Sequence, residues 1–447
     1  MFLKKKVWIA PAPWSLLFKM KSLGWGGVKG DRARTRVRTL VTAVAILAGS
    51  IHSQVIFAQS LTEVIRQALI SYPGAQAARS NAEGAEAEVD RAKAARWPVV
   101  TLGATGTQQD NIPRPWNASP QATYTVYAGG SIEAGVQRAE AQLRAAEGKS
   151  GGAFDEVALQ SAEAYLGWAK SMELARLADQ NVKAHERILD DVRKIVAVDQ
   201  GRRIDLQQAE VRVEAARLIL SQREAEHLQA RERLARYAAG IIPGRPEGLD
   251  AEPGVRPPKL EDAFLSAGDT HPLLAQAIAQ TQAAEAAVTA ARGQLHPKVD
   301  LSVSRPINQY TLDTGTLAQV SVNLPVFNGG ALRAGVAAAQ AQERTARFSL
   351  EESRLAIKER IATAWAEWQS AIQRERMSGV QRIGGAALVN GYREQFRLAR
   401  RSLLDLLNVQ NESFNYDTGA VSAEFDRRIA RYRLSAAMGE LARSYTR

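Results

Sequence analysis

Ala318-Gln319-Val320-Ser321-Val322-Asn323-Leu324, then Pro325 to Asn328, then Gly329-Gly330: in these thirteen residues the hydrophobic period of the sequence changes from two to helical. Ala318, Val320, Val322 and Leu324 alternate with polar residues, as one face of a strand does. After the glycine pair no proline occurs up to Arg447, and Ala, Glu, Arg, Gln and Leu dominate, so a very long helical segment must follow. The same arrangement occurs 200 residues earlier. Gly129-Gly130 falls on Gly329-Gly330, Ala164-Tyr165 on Ala364-Trp365, Trp168 on Trp368, and Asp205-Leu206 on Asp405-Leu406. At a shift of 199, Leu61 falls on Leu260, Tyr72-Pro73 on His271-Pro272, and Trp97-Pro98 on His296-Pro297. The chain is an internal duplication. Its expected organisation is a leader over 1–59, a first repeat over 60–247, a linker over 248–259 within the Pro/Gly-rich stretch Ile242 to Pro258, and a second repeat over 260–447.

Each repeat ends in about 120 residues without proline. Within them Tyr165, Trp168 and Met172 share a helix face, and Ile361, Trp365, Trp368 and Ile372 repeat the pattern. Leu206, Ala209, Val213, Ala216 and Leu220 follow heptad spacing with small residues that permit close packing; Leu406, Val409, Ser413, Tyr416, Ala420 and Ala423 keep it in the second repeat. Turns are expected at Asp199-Gln200-Gly201 and at Ala399 to Ser402, giving one long helical hairpin per repeat. A helix from Gly130 to about Asp199 spans on the order of 100 Å. Such a rod implies a long bundle or tube.

Two strand segments precede each hairpin: Val100, Leu102 and Ala104, then Tyr124, Val126 and Ala128, in the first repeat; Val299, Leu301 and Val303, then Ala318 to Leu324, in the second. Apolar residues on one face and polar residues on the other fit a half-buried sheet or a barrel with lipid outside and water inside. The polar segments Gln108 to Gln121 and Arg305 to Leu317 are read as barrel loops. Four strands cannot close a barrel, and an open edge in lipid leaves backbone groups unsatisfied, so several copies must share one.

Composition removes other classes. The 447 residues contain no cysteine, which excludes disulfide scaffolds, thiolate sites and a lipidated N-terminal Cys. The net charge of +11 resembles a nucleic-acid signal, but residues 1–59 carry ten Lys/Arg against the single acid Asp31. The remainder is nearly neutral, and no nucleic-acid partner is expected. Arg34 to Arg38 before the apolar stretch Leu40 to Ala48 reads as an export signal, with Met20 an alternative start. The five histidines show neither HExxH nor a ligand-like cluster, no nucleophile–base constellation is visible, and no cofactor or metal is implied. A periplasmic coiled-coil scaffold would share the helices but needs no alternating strands.

Residues 60–447 resemble the TolC family of outer-membrane export channels. The resemblance is carried by the duplication, by Ser60-Leu61-Thr62-Glu63 with Tyr72-Pro73, by Leu324-Pro325-Val326-Phe327-Asn328-Gly329-Gly330, and by Arg401-Ser402-Leu403-Leu404-Asp405-Leu406-Leu407. It implies a mainly α homotrimer in the outer-membrane lipid: duplicated hairpins form a twelve-helix α-barrel tunnel, and four strands per chain contribute to a shared twelve-stranded β-barrel. The implied partners are a periplasmic adaptor and an inner-membrane ABC transporter, or alternatively a proton-driven pump. Tyr392 to Phe396, Asn408 to Glu412 and Gly201 to Glu210 look most like members serving type I secretion. By the same resemblance Asp405 would form a carboxylate ring at the periplasmic aperture, with Arg401 and Asp205 as a cross-link. Phe396 stands where a Tyr often bonds, and Asn408 replaces a second ring carboxylate. Gly201, Arg202, Arg203, Ala399, Arg400 and Ser402 would meet the adaptor.

Overall fold

The computed structural model describes residues 60–106, 116–254, 256–268, 270–308 and 315–446. The expected leader and the centres of both expected loops lie outside them. The first repeat contributes α1 (Leu61–Ser71), α2 (Pro73–Ala94), β1 (Val99–Gly106), β2 (Trp116–Tyr127), α3 (Ser131–Val198), a 3-10 turn (Gln200–Arg202) and α4 (Arg203–Ala235). The second contributes α5 (Leu260–Ala267), α6 (Pro272–Gly293), β3 (Lys298–Ser304), β4 (Ile307–Asn308), β5 (Leu317–Asn323), α7 (Ala331–Arg397), α8 (Leu403–Ala437) and α9 (Arg443–Thr446).

Local chemistry sets the boundaries. Ser60 caps α1 by accepting the Glu63 N–H, while α2 and α6 begin at prolines whose missing donor costs nothing in a first turn. His271 precedes α6 and caps it, its Nδ1 accepting the Leu273 N–H at 3.2 Å while Nε2 lies 3.2 Å from the Ala437 carbonyl. Gly129, Gly130, Gly329 and Gly330 all adopt left-handed backbone, with φ of 60°, 79°, 65° and 84°. That conformation, which side chains disfavour, turns each strand into the long helix after it. The two rods, α3 and α7, run 68 and 67 residues.

The sheet is antiparallel in the order β1-β2-β3-β5, with β4 paired to β2. Its register sorts most of the side chains, although Val99, opposite Thr123, and Leu317, opposite Ser304, fall on the polar face. Val100, Leu102, Ala122, Tyr124, Leu301, Val303, Val320 and Ala318 share one face; Thr101, Gln121, Thr123, Thr125, Asp300, Ser302, Gln319 and Ser321 share the other. The Thr125 hydroxyl donates to Asp300 at 2.7 Å on the polar face.

Two segments expected to be loops are partly strand. β2 starts at Trp116, inside the first, and β4 lies inside the second. Ala118, Pro120 and Ala122 occupy the apolar positions there, and small residues with a proline conceal the alternation. Pro120 is tolerated because its carbonyl faces Arg305, accepting that N–H at 3.1 Å, where β3 has ended and β4 has not begun. Its missing donor falls in that gap.

The helices α2, α3, α4, α6, α7 and α8 form one layer. Near the sheet the order is α2-α3-α6-α7; beyond it, α4-α3-α8-α7. The short α1 and α5 lie as a second layer on α3 and α7. Beneath them sit two cores, one built on Tyr165, Leu166 and Trp168, the other on Ile361, Trp368 and Leu434. The linker is bound down by Tyr165, Arg431 and Tyr432, which contact the backbone of Glu247, Pro253 and Ala251. Both edges of this layer are open. Val211 and Leu218 on α4, and Phe348, Leu355, Val380 and Ile383 on α7, are exposed, as are β1 and β5 at the sheet edges.

Candidate functional site at the hairpin tips

The two hairpin turns are built differently. At the first, Asp199 Oδ1 accepts the Gly201 N–H at 3.0 Å, closing a turn that leads through Gln200–Arg202 into α4. At the second, α7 ends with Ala399 in left-handed backbone at φ 58°, the Arg400 N–H donating to the Gln395 carbonyl at 2.8 Å and the Ala399 N–H to that of Phe396 at 3.0 Å. This is the helix-ending geometry that normally takes glycine, here imposed on an alanine. Ser402 then caps α8. Its hydroxyl accepts the Asp405 N–H at 3.1 Å, and Asp405 Oδ2 accepts the Ser402 N–H at 3.4 Å.

An apolar cluster directly behind the turns joins the hairpins: Ile188, Leu189 and Val192 of α3, Ala209 and Val213 of α4, Phe396 of α7, and Leu403, Leu406 and Leu407 of α8. The tips of one chain therefore move as a pair unless this cluster opens. Arg202 reinforces it, holding Asp205 Oδ2 through Nη2 at 2.7 Å and Nε at 2.8 Å while lying 5.9 Å over the Phe396 ring.

The structure places the sequence-predicted residues in two groups. Asp205, Arg202 and Phe396 are brought together. Arg401 is directed elsewhere, donating from Nε to Gln395 Oε1 at 3.1 Å and stacking 4.7 Å from the Tyr392 ring. Within one chain Asp205 thus pairs with Arg202, and Asp405 is a helix cap. Gly201, Arg203, Ala399, Arg400, Ser402 and Asn408 are exposed. Sequence reading named Tyr392 only as the start of the Tyr392 to Phe396 motif and gave it no contact with Arg401, although its position one helical turn before Phe396 near the end of α7 was visible. It also missed the bridge in which Arg433 of α8 reaches Glu163 of α3 at 2.7 Å and Glu367 of α7 at 2.6 Å. With partners 270 and 66 residues away in sequence, that bridge leaves no local signal.

Among the described residues no group of three or more His, Asp or Glu could hold a metal, and no helix is long and apolar enough to cross a membrane. The amphipathic sheet is a separate matter, since a barrel crosses lipid with strands. Aromatic residues mark its ends: Trp97, Tyr127 and Phe327 are exposed where the sheet meets the helices, and Trp116 at the opposite end.

Comparison with known proteins agrees with this architecture. A family model described as "Outer membrane efflux protein" matches residues 64–240 and 266–440. The chain is 24% identical over 427 residues to the outer membrane efflux protein BepC of Brucella suis, covering 90% of this chain and 91% of that one. It is 26% identical over 405 residues to the protein CyaE of Bordetella pertussis, covering 86% and 85%. Among solved structures it superposes on CusC with a TM-score of 0.77 at 17% identity, covering 86% of this chain and 92% of that one. The outer-membrane channel OprN gives 0.74 at 20% identity, with coverages of 85% and 89%. The mainly α architecture with a small β part expected from the sequence is the one observed in the chain: one long helical hairpin per repeat and an antiparallel sheet to which both repeats contribute.

Proposed function

Since this chain belongs to the outer membrane efflux protein family, whose members are channels of the outer membrane extending into the periplasm, we propose that it is the outer conduit of a three-part export system. Three copies close the wall, and a periplasmic adaptor and an inner-membrane transporter complete the path. The observation that carries this reading is the sheet, apolar on one face, polar on the other, open at β1 and β5, and joined through Gly129-Gly130 and Gly329-Gly330 to rods of about 100 Å. An apolar exterior suits lipid, a polar interior suits water, and the rods suit a tunnel across the periplasm. The two repeats are read as 60–247 and 260–447, joined by 248–259.

The transporter assigned is of the ABC type, serving type I secretion, on the strength of the motifs at Gly201 to Glu210, Tyr392 to Phe396 and Asn408 to Glu412. Efflux of small molecules by a proton-driven pump is the second reading, favoured by the likeness to a protein named for efflux. Crosslinked purification from whole envelopes separates them: co-purification of an ABC exporter is expected, and recovery of a proton-driven pump alone overturns the assignment.

At the aperture, Asp405 supplies a ring of three carboxylates that repel one another and favour cations, while Asn408 leaves the ring without a second acidic layer. Closure rests on Arg401 meeting Asp205 of a neighbouring copy in competition with the Arg202 already bound there; Phe396 contributes packing where a hydroxyl would have bonded. Asp405→Ala should lower cation selectivity in planar bilayers. Unchanged selectivity would remove Asp405 from the pore lining.

A further inference from the structure

Arg433 of α8 holds two carboxylates, Glu163 of α3 and Glu367 of α7, and the 200-residue repeat keeps this cation without its acids. Arg233 of α4 stands where Arg433 does, in Arg231-Glu232-Arg233-Leu234 against Arg431-Tyr432-Arg433-Leu434, but Gly167 replaces Glu367 and Thr363 replaces Glu163. Arg233 lines a cavity of about 550 Å³ that crosses α3 from α4 to α8, together with Arg236, Tyr237, Glu163, Gly167 and Arg433. A Cβ at Gly167 would meet nothing within 4 Å, so the place of the missing carboxylate is open space. Arg236 is held in position, donating to the Tyr72 hydroxyl at 2.5 Å and lying 5.5 Å and 5.7 Å from the Tyr72 and Tyr237 ring centres. Arg233 and Arg236 are exposed, and among the described residues no carboxylate pairs with either. On α3, Glu163 is taken by Arg433, and Glu156 accepts from Gln160 Nε2 at 2.6 Å.

Tyr165 and Trp168 of α3 pack in the core beneath α1. Glu163 and Gly167, two residues before and after Tyr165, lie on the opposite side of the helix. A second layer of helices inside a closed ring would fill its bore, so α1 and α5 belong outside and the cavity opens inward. We propose that Arg233, backed by Arg236, is an anion subsite on the tunnel wall, one in each copy, that takes carboxylate groups of the passenger. The proposal rests on the channel reading and adds the chemistry that the wall retains. The other repeat shows the ligand this position takes, since Arg433 there binds two carboxylates. Guanidinium pairs bidentately with carboxylate, and rings of such cations favour anions in a pore.

The test uses the detergent-purified full chain, with fluorescein-labelled hexaglutamate and hexalysine as probes read by anisotropy. Hexaglutamate should bind about tenfold more tightly than hexalysine, the range of one charge-assisted hydrogen bond, and weaken as NaCl rises from 50 to 300 mM. Gly167→Glu, which supplies the carboxylate that Glu367 supplies in the second repeat, should remove the preference, and so should Arg233→Gln, with helicity checked by circular dichroism. Arg397→Gln, at an exposed arginine far along α7, should leave it unchanged. In planar bilayers, hexaglutamate added to both chambers should block the wild-type current reversibly and the Gly167→Glu current much less. Equal binding of both probes, a preference that survives either variant, or one lost equally in Arg397→Gln overturns the proposal. Binding without block also overturns it, because the site would then lie outside the bore. Displacement of hexaglutamate by citrate would extend the supported site to free polycarboxylates, and persistence would confine it to carboxylates borne on a chain. No conductance in the wild-type protein would count against the channel reading, whereas conductance indifferent to hexaglutamate would count against the anion subsite alone.

Discussion

Asp155 carries a charge that its surroundings tolerate poorly. It lies on α3, 6% exposed, with Oδ1 accepting the Ala442 N–H at 2.7 Å just ahead of α9. Burial pushes its pKa from 3.8 up to about 6, although the Ala442 bond and the charges of Arg443 and Arg360 pull the other way. The folded chain therefore holds this proton more tightly than the unfolded one. The site stabilises most below about pH 4, and that contribution is lost as the pH rises to about 6. Asp155→Asn, which keeps an acceptor for Ala442, should remove this slope and raise stability at pH 7 by about 1–3 kcal/mol. Urea unfolding between pH 4 and 7 checks it; a slope surviving in the variant would assign the titration to another group. None of this was legible in the sequence, because the bond joins residues 287 apart and nothing near position 155 marks it as buried. The aromatic positions Tyr165 and Trp168, by contrast, were legible because core contact there follows helical periodicity.

At the scale of elements, the approach of α3 to α6 depends on Gly148. A Cβ there would lie 2.7 Å from the Gln276 nitrogen and 2.8 Å from the Pro272 carbonyl oxygen, both backbone atoms that cannot swing aside. Gly148→Ala should cost about 1–3 kcal/mol by pushing the helices apart. On the same helix Gly135 meets nothing within 4 Å, and Gly135→Ala should instead gain about 0.4–1 kcal/mol. Thermal unfolding of the two variants side by side decides; equal effects would contradict the packing. The long helices and their turns were readable because proline absence, heptad spacing and the repeat all agreed. β2 and β4 were understated because Ala118, Pro120 and Ala122 satisfy the apolar face with little hydrophobic contrast. At the tips the sequence suggested Arg401 as the partner of Asp205, whereas within the chain the guanidinium beside Asp205 and Phe396 is that of Arg202, whose direction depends on the short turn between α3 and α4.

The whole molecule is an unfinished wall. Its sheet ends at β1 and β5, and its helix layer at α7 on one side and α2 and α4 on the other, each edge with unpaired backbone or exposed apolar side chains. Such edges are unstable in lipid and in water alike, and identical copies joined edge to edge satisfy all of them at once. The decisive measurement is native mass spectrometry of the envelope-derived protein released from detergent. Three copies of the chain, extracted only when detergent is present, is the predicted result; a single copy recovered in the aqueous fraction would contradict the account.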